Sequence, residues 1–191
     1  MFAKGAQWTV DRLIDRQIIN REDREIYRFG LESGMLKAVH YLTMLLVGIV
    51  LGMLAETILF LAAYSLIRAY GGGYHADTRG VCYLLSWVTI IGVLLVARFL
   101  SGETAMLISA VLTVFAFPVI FIKAPVENSA KPLDEEECCH YKKRARFVLI
   151  IQAGAVIILN LFFTGKFGLI IAESLGLEAM MMLLGVWKNG R

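Results

Sequence analysis

Charge is scarce in this sequence: 18% of its 191 residues are Asp, Glu, Lys or Arg, where a soluble domain carries about a quarter. Only 3 prolines and 3 cysteines are present. So few prolines, in a chain that is 58% hydrophobic, exclude a disordered or collagen-like chain. Three cysteines, two of them adjacent (Cys138, Cys139), do not make a disulfide framework. The net charge is only +3, which implies no polyanionic partner and no nucleic-acid-binding tail. Mean hydropathy is +0.67, leaving too little polar surface to cover an ordinary soluble core. These balances point to an integral membrane protein.

A bilayer core about 30 Å thick takes roughly 20 apolar residues of helix to cross. Clear candidates are 38–55, 80–97, 104–122 and 147–165. Two weaker runs are 57–70, which is short and contains Arg68, and 167–187, which contains Glu173 and Glu178. The expectation is an all-α polytopic bundle of about six transmembrane helices forming one integral membrane domain over 1–191. Residues 1–34 are too charged for a secretory signal, so the first apolar run is expected to stay as an anchor. Trp8, Leu13, Ile14, Ile18 and Ile19 alternate there with charged residues at roughly helical spacing. This segment is an amphipathic helix, either in the headgroup layer or packed on cytosolic loops, and the transmembrane bundle occupies 35–191.

Lysine and arginine gather in cytoplasmic loops. With the N-terminus inside, 17 of the 19 basic residues fall on that side and only Arg98 and Lys166 outside. Both termini, the 66–80 segment and the hydrophilic loop 123–146 are therefore expected in the cytosol. That loop carries Pro125 and Pro132, then an acidic run at 134–137 and a basic one at 142–146. The basic end either anchors the next span to anionic lipid or docks a charged partner. Cys138-Cys139-His140 lacks the gap that zinc sites favour, so reduced surface thiols are expected, with no metal or cofactor. His40 and Glu56 either pair within the bundle or lie near the headgroups. Glu178, if the last run is a span, sits near mid-membrane and must face the bundle or a dimer partner. Alternatively 147–172 is one long helix.

Chemistry concentrates in Arg68-Ala-Tyr-Gly-Gly-Gly-Tyr-His75-Ala-Asp77-Thr-Arg79-Gly-Val-Cys82. Three glycines in a row destabilise a helix by about 1 kcal/mol each, so the helix should break at 71–73 with a close backbone approach. A cysteine with a histidine is a recurrent nucleophile–base pair, and an adjacent imidazolium favours the reactive thiolate. Seven residues on one helix span about 10.5 Å, too far for a hydrogen bond. His75 reaches Cys82 only if the chain folds back between them. The residue types alone leave open an inert cysteine and a solvated histidine.

Arg68, Gly72, Gly73, His75 and Cys82, with both seven-residue intervals, resemble the signature of the accessory gene regulator B (AgrB) family of membrane cysteine endopeptidases. Phe29-Gly30-Leu31-Glu32, Ala124-Pro125 and Lys131-Pro132 agree with it. The resemblance covers nearly the whole chain. It implies that Cys82 attacks a peptide bond of a short AgrD-like propeptide with an amphipathic leader, and that His75 is the base. A thioester forms, the C-terminal tail leaves, and a cysteine or serine of the substrate closes a thiolactone or lactone ring for quorum sensing. By the same resemblance Arg68 positions a substrate carboxylate or developing negative charge, or simply snorkels at the end of its span. Gly72 and Gly73 shape the turn or lend N–H groups to an oxyanion, and Asp77 either orients His75 or is a turn residue. A homodimer could form the peptide cavity. The rival readings are a transporter or sensor that uses the intramembrane ionisable residues, and a membrane thioesterase or acyltransferase using the same dyad.

Overall fold

The computed structural model describes residues 2–74, 78–127, 133–163 and 165–189. The described residues are α-helical: α1 (Phe2–Asp15), a short 3-10 turn (Arg21–Asp23), α2 (Arg24–Val50), α3 (Leu54–Gly71), α4 (Arg79–Phe99), α5 (Gly102–Lys123), α6 (Glu135–Phe162) and α7 (Lys166–Asn189). Six of these are long and apolar enough to cross a membrane. The protein is an all-α polytopic membrane bundle preceded by an amphipathic helix.

The chain divides into two compact units, 1–47 and 48–191. In the first, Arg24 donates to Asp11 at 2.7 Å and 2.8 Å, tying α1 to the start of α2. On α1, Ala6 and Val10 are buried while Trp8 is exposed, as an amphipathic helix requires. An apolar groove lies beside them, lined by Thr9, Tyr27, Gly30, Leu31, Gly34 and Met35. The first span differs from its sequence boundaries. Helix begins at Arg24, well before residue 38, and stops at Val50 because Gly52 turns the chain at φ +66°.

In the second unit α7 is the axis. It packs against α3, α4, α5 and α6, and residues from Gly168 to Gly185 are buried along it. Its small residues allow close helix approach, the usual basis of packing in lipid. Leu112 of α5 fits over Gly176, and Asn160 of α6 over Gly168. The core joins Ile67, Ala116, Ile120, Leu149, Leu175 and Met182. Two polar links cross it: Asn160 donates to Ser109 at 2.6 Å and Gln152 to the Ala63 carbonyl at 2.8 Å. The outer faces carry Leu84, Val88, Val111, Val114, Ile150 and Ile157, as expected of helices facing acyl chains.

The weak run 167–187 is thus a full and central helix. It is separate from α6, which ends at Phe162, and Gly165 has φ +79°. The loop 123–146 is shorter than its charge pattern suggests. Asp134 caps α6 by accepting from the Glu137 N–H at 2.7 Å, and the Glu137 carboxylate returns to the Asp134 N–H. This capping box starts the helix at Glu135, so the basic run already lies in α6.

Two ion pairs join α3 to α7: Glu56–Lys166 at 2.5 Å and Arg68–Glu178 at 3.5 Å. Partners are 110 residues apart in both pairs, so the two helices run parallel and in register. Removing one partner of such a pair leaves an uncompensated charge. With Lys166 about a third exposed, Glu56→Lys should cost about 2 kcal/mol, a fall of about 4–8 °C in the Tm of the detergent-solubilised protein. The exchange Glu56→Lys with Lys166→Glu should recover most of that loss. A double variant no more stable than the single one would show that this pair does not set the register.

Candidate functional site

α3 ends at Gly71, where the glycine run begins, and the next residues leave the helix axis: Gly72 has φ +74° and Gly73 φ +106°. These are conformations that other residues rarely adopt. The Gly72–Tyr74 segment then threads between α7 and the stretch 124–127 that follows α5. The Val126 N–H donates to the Gly71 carbonyl at 2.8 Å, and the Gly73 N–H donates to the Val126 carbonyl at 3.1 Å. This is a short parallel bridge. On the opposite side the Tyr74 N–H donates to the Met181 carbonyl of α7 at 2.8 Å.

The approach is close enough that side chains would block it. A Cβ on Gly72 would overlap the Val126 carbonyl, and one on Gly73 would lie 2.8 Å from both Arg68 Nη1 and the Met181 oxygen. Gly185 is the matching gap on α7, since a Cβ there would lie 2.8 Å from Gly73 C and Tyr74 N. A helix carbonyl is normally screened by the residue four positions later; glycine at 185 leaves Met181 open to an outside donor. The last turn of α7 adds Lys188, whose ammonium lies 5.1 Å over the Tyr74 ring, and Asn189, which donates to the Glu127 carbonyl at 2.7 Å.

Arg68 lies on the last turn of α3 with its side chain 19% exposed. Its guanidinium donates to the Gly72 and Tyr74 carbonyls and pairs with the fully buried Glu178. The planar fork suits this task, because it serves several acceptors in one plane. The N–H groups of Gly72 and Gly73 go to the Arg68 and Val126 carbonyls, so they hold the turn in this conformation.

The nucleophile candidate sits on the first turn of α4. Thr78 is the N-cap, accepting from the Val81 N–H at 3.3 Å, and the Cys82 N–H donates to the Thr78 carbonyl at 3.1 Å. Cys82 is exposed and carries a free thiol. His75 and Asp77 lie outside the described residues, between Tyr74 and Thr78 on which the structure is defined. The structure thus brings Arg68, Gly72 and Gly73 together, and gives Cys82 a separate, well-capped helix start.

Sequence reading missed Glu178, Met181, Gly185 and Val126 as parts of this region. The one signal available was numerical: Glu56 to Arg68 and Lys166 to Glu178 are equal intervals of opposite sign order. Elsewhere, Cys138 and Cys139 are free thiols on the first turn of α6. Glu173 is partly buried, with Oε2 lacking a hydrogen-bond partner among the described residues.

The two kinds of glycine strain can be separated. Gly52→Ala meets only the positive φ, with nothing within 4 Å of the added carbon, and should cost about 1–2 kcal/mol. Gly73→Ala meets positive φ and two atoms at 2.8 Å, and should cost clearly more, about 3 kcal/mol. Thermal unfolding of the two variants in the same detergent checks this. Equal losses would mean the close approach at Gly73 carries no weight.

The family model described as accessory gene regulator B matches residues 6–184 of this chain. "Putative AgrB-like protein 2" of Clostridium perfringens (strain 13 / Type A) is 28% identical over 148 residues, 75% of this chain and 65% of that protein. "Protein FsrB" of Enterococcus faecalis (strain ATCC 47077 / OG1RF) is 24% identical over 150 residues, 78% of this chain and 60% of that protein. The chain spans just under two thirds of the length of these relatives. No solved structure matches it.

Proposed function

The chain belongs to the accessory gene regulator B family, and on that premise we propose that it is a membrane cysteine endopeptidase that trims and helps cyclise a short quorum-sensing propeptide. The observation that carries this reading is the anchored Gly72–Tyr74 segment. It delivers the chain to His75 from a fixed point, while Cys82 opens α4 just beyond the same connection.

In the proposed reaction His75 takes the thiol proton of Cys82, and Sγ attacks the scissile carbonyl. The tetrahedral intermediate collapses, the C–N bond breaks, and the imidazolium returns the proton to the departing amine. The C-terminal tail leaves and an acyl thioester remains on Cys82. A thiol or hydroxyl within the bound peptide then gives its proton to His75 and attacks the thioester, Cys82 departs as thiolate beside the imidazolium, and the ring closes. Exchange of one thioester for another is close to energy-neutral, so a thiol acceptor needs no external energy. Gly72 and Gly73 shape the turn, Arg68 holds it, and Asp77 orients His75. The substrate is an AgrD-like propeptide with an amphipathic leader, the bilayer surrounds the bundle, and a second copy completes the peptide cavity.

The ion-path alternative finds less support, because Glu56 and Glu178 are committed to Lys166 and Arg68. Cys82→Ala and His75→Ala should each abolish propeptide cleavage while the protein still accumulates in the membrane. Mass spectrometry of co-expressed short propeptides reads the loss. Full processing by Cys82→Ala would end the endopeptidase reading, and a lipid-derived adduct on Cys82 would favour the acyltransferase.

The distribution of basic residues supports a topology with both termini and the 66–80 segment in the cytosol. A membrane-impermeant maleimide should therefore label the exposed Cys82 and Cys139 in inverted vesicles and spare them in right-side-out vesicles. The reverse pattern would overturn this topology.

A further inference from the structure

We propose that Glu178 is a positioning residue for the cleavage reaction, acting through Arg68 on the Gly72–Tyr74 segment that precedes His75 in the sequence; this rests on the endopeptidase reading above. Glu178 belongs to α7, far from the 68–82 motif in sequence, and its side chain is 0% exposed. Its Oε2 lies 3.5 Å from Arg68 Nη1. Its Oε1 has no hydrogen-bond partner among the described residues and rests against Gly71, where any Cβ would overlap it. The carboxylate is therefore confined to one place, and the absence of a side chain at Gly71 makes the room.

The consequence runs outward in three steps. A guanidinium in the bundle without a counter-ion is an uncompensated buried charge, and an arginine near a helix end can escape by turning toward the headgroups. Glu178 removes that incentive and holds the guanidinium inward. Held there, Arg68 donates to the carbonyls of Gly72 and Tyr74, the two residues flanking Gly73. Tyr74 is the covalent neighbour of His75 and is also fixed by Met181, three residues along α7 from Glu178. One face of α7 thus fixes the backbone up to Tyr74, the last described residue before His75. Among the described residues, Lys188 lies over the Tyr74 ring and Glu127 is on the adjoining 124–127 stretch.

The test uses the full-length protein in native membranes and iodoacetamide as the probe. The alkylation rate of Cys82 is followed by mass spectrometry of its own peptide, which separates it from Cys138 and Cys139. His75→Ala should slow alkylation by about tenfold or more, because the thiolate loses its partner. Glu178→Gln keeps the shape and removes the charge, and should slow it to a similar degree. Gly71→Ala is the second arm and decides the matter if Glu178→Gln does not accumulate. It favours the helix and harms only the seat of the carboxylate, so it too should slow Cys82. Ser109→Ala, which removes the Asn160–Ser109 link between α5 and α6, should leave the rate unchanged.

A merely structural role for Glu178 would loosen the bundle, leaving alkylation unchanged or faster, and Ser109→Ala would act alike. Wild-type rates in Glu178→Gln and Gly71→Ala, with His75→Ala slowed, would overturn the proposal and spare the dyad. A wild-type rate in His75→Ala would remove the dyad itself, and the proposal with it.

Discussion

Two parallel helices in a membrane have little reason of their own to stop at one register. Their apolar side chains find lipid almost as congenial as each other, and small residues allow close packing at several offsets. In this protein α3 and α7 are fixed by charge. Glu56 meets Lys166 and Arg68 meets Glu178, with the same twelve-residue interval on each helix, about 18 Å of rise. The order of signs matters as much as the spacing. With α7 reversed, Glu56 would face Glu178 and Arg68 would face Lys166, which like-charge repulsion forbids in so dry a place. The pairs therefore specify direction and offset together. That offset puts Met181 opposite Tyr74 and Gly185 opposite Gly73.

Whether the inner pair adds stability is a separate matter from what it specifies. Burying two charges costs much of what their attraction returns, and an apolar pair of similar volume often does as well. The Arg68–Glu178 pair makes sense as a specificity device, since an apolar replacement could pack but could not donate to two carbonyls. Lysine could not substitute either, because a single ammonium on a flexible stem lacks the planar fork. The arginine thus belongs to the bundle through its carboxylate and to the turn through its carbonyl partners. The three glycines complete the arrangement by giving up side-chain volume to Glu178, Val126 and Met181 in turn.

This division explains what the sequence disclosed. Apolar runs reveal the strong spans, because length and hydropathy are local properties, and the glycine run ends α3 where its composition says a helix must weaken. The two runs that looked weakest, 57–70 and 167–187, became α3 and α7, the helices that share both ion pairs. They looked weak because they carry the charges that hold them together. A hydropathy reading counts such charges against a span, whereas only the fold shows that each has a partner. The start of α6 was legible in Asp134 and Glu137 as a capping box, but the surrounding charges read more simply as loop. Val126, Met181 and Gly185 left no trace, because a backbone carbonyl as hydrogen-bond partner has no sequence signature.

The exposure of Cys82 constrains the chemistry proposed for it. An acyl thioester meant for a second attack by the substrate must outlast water, and a nucleophile on the first, open turn of a helix is poorly shielded by its own protein. Val81, Tyr83 and Leu84, its neighbours on α4, are exposed too, and at a membrane surface such residues face acyl chains or an apolar ligand. In the proposed reaction the missing wall of the site would be supplied by lipid, by the peptide, or by both. This favours a substrate that is itself amphipathic: its apolar face would close over the thioester, while its own thiol or hydroxyl, held within the same closure, would be the acceptor nearest at hand. Ring closure would then win over hydrolysis through exclusion and proximity. The anchored turn at Gly72–Tyr74 gives such a wall a fixed edge to assemble against.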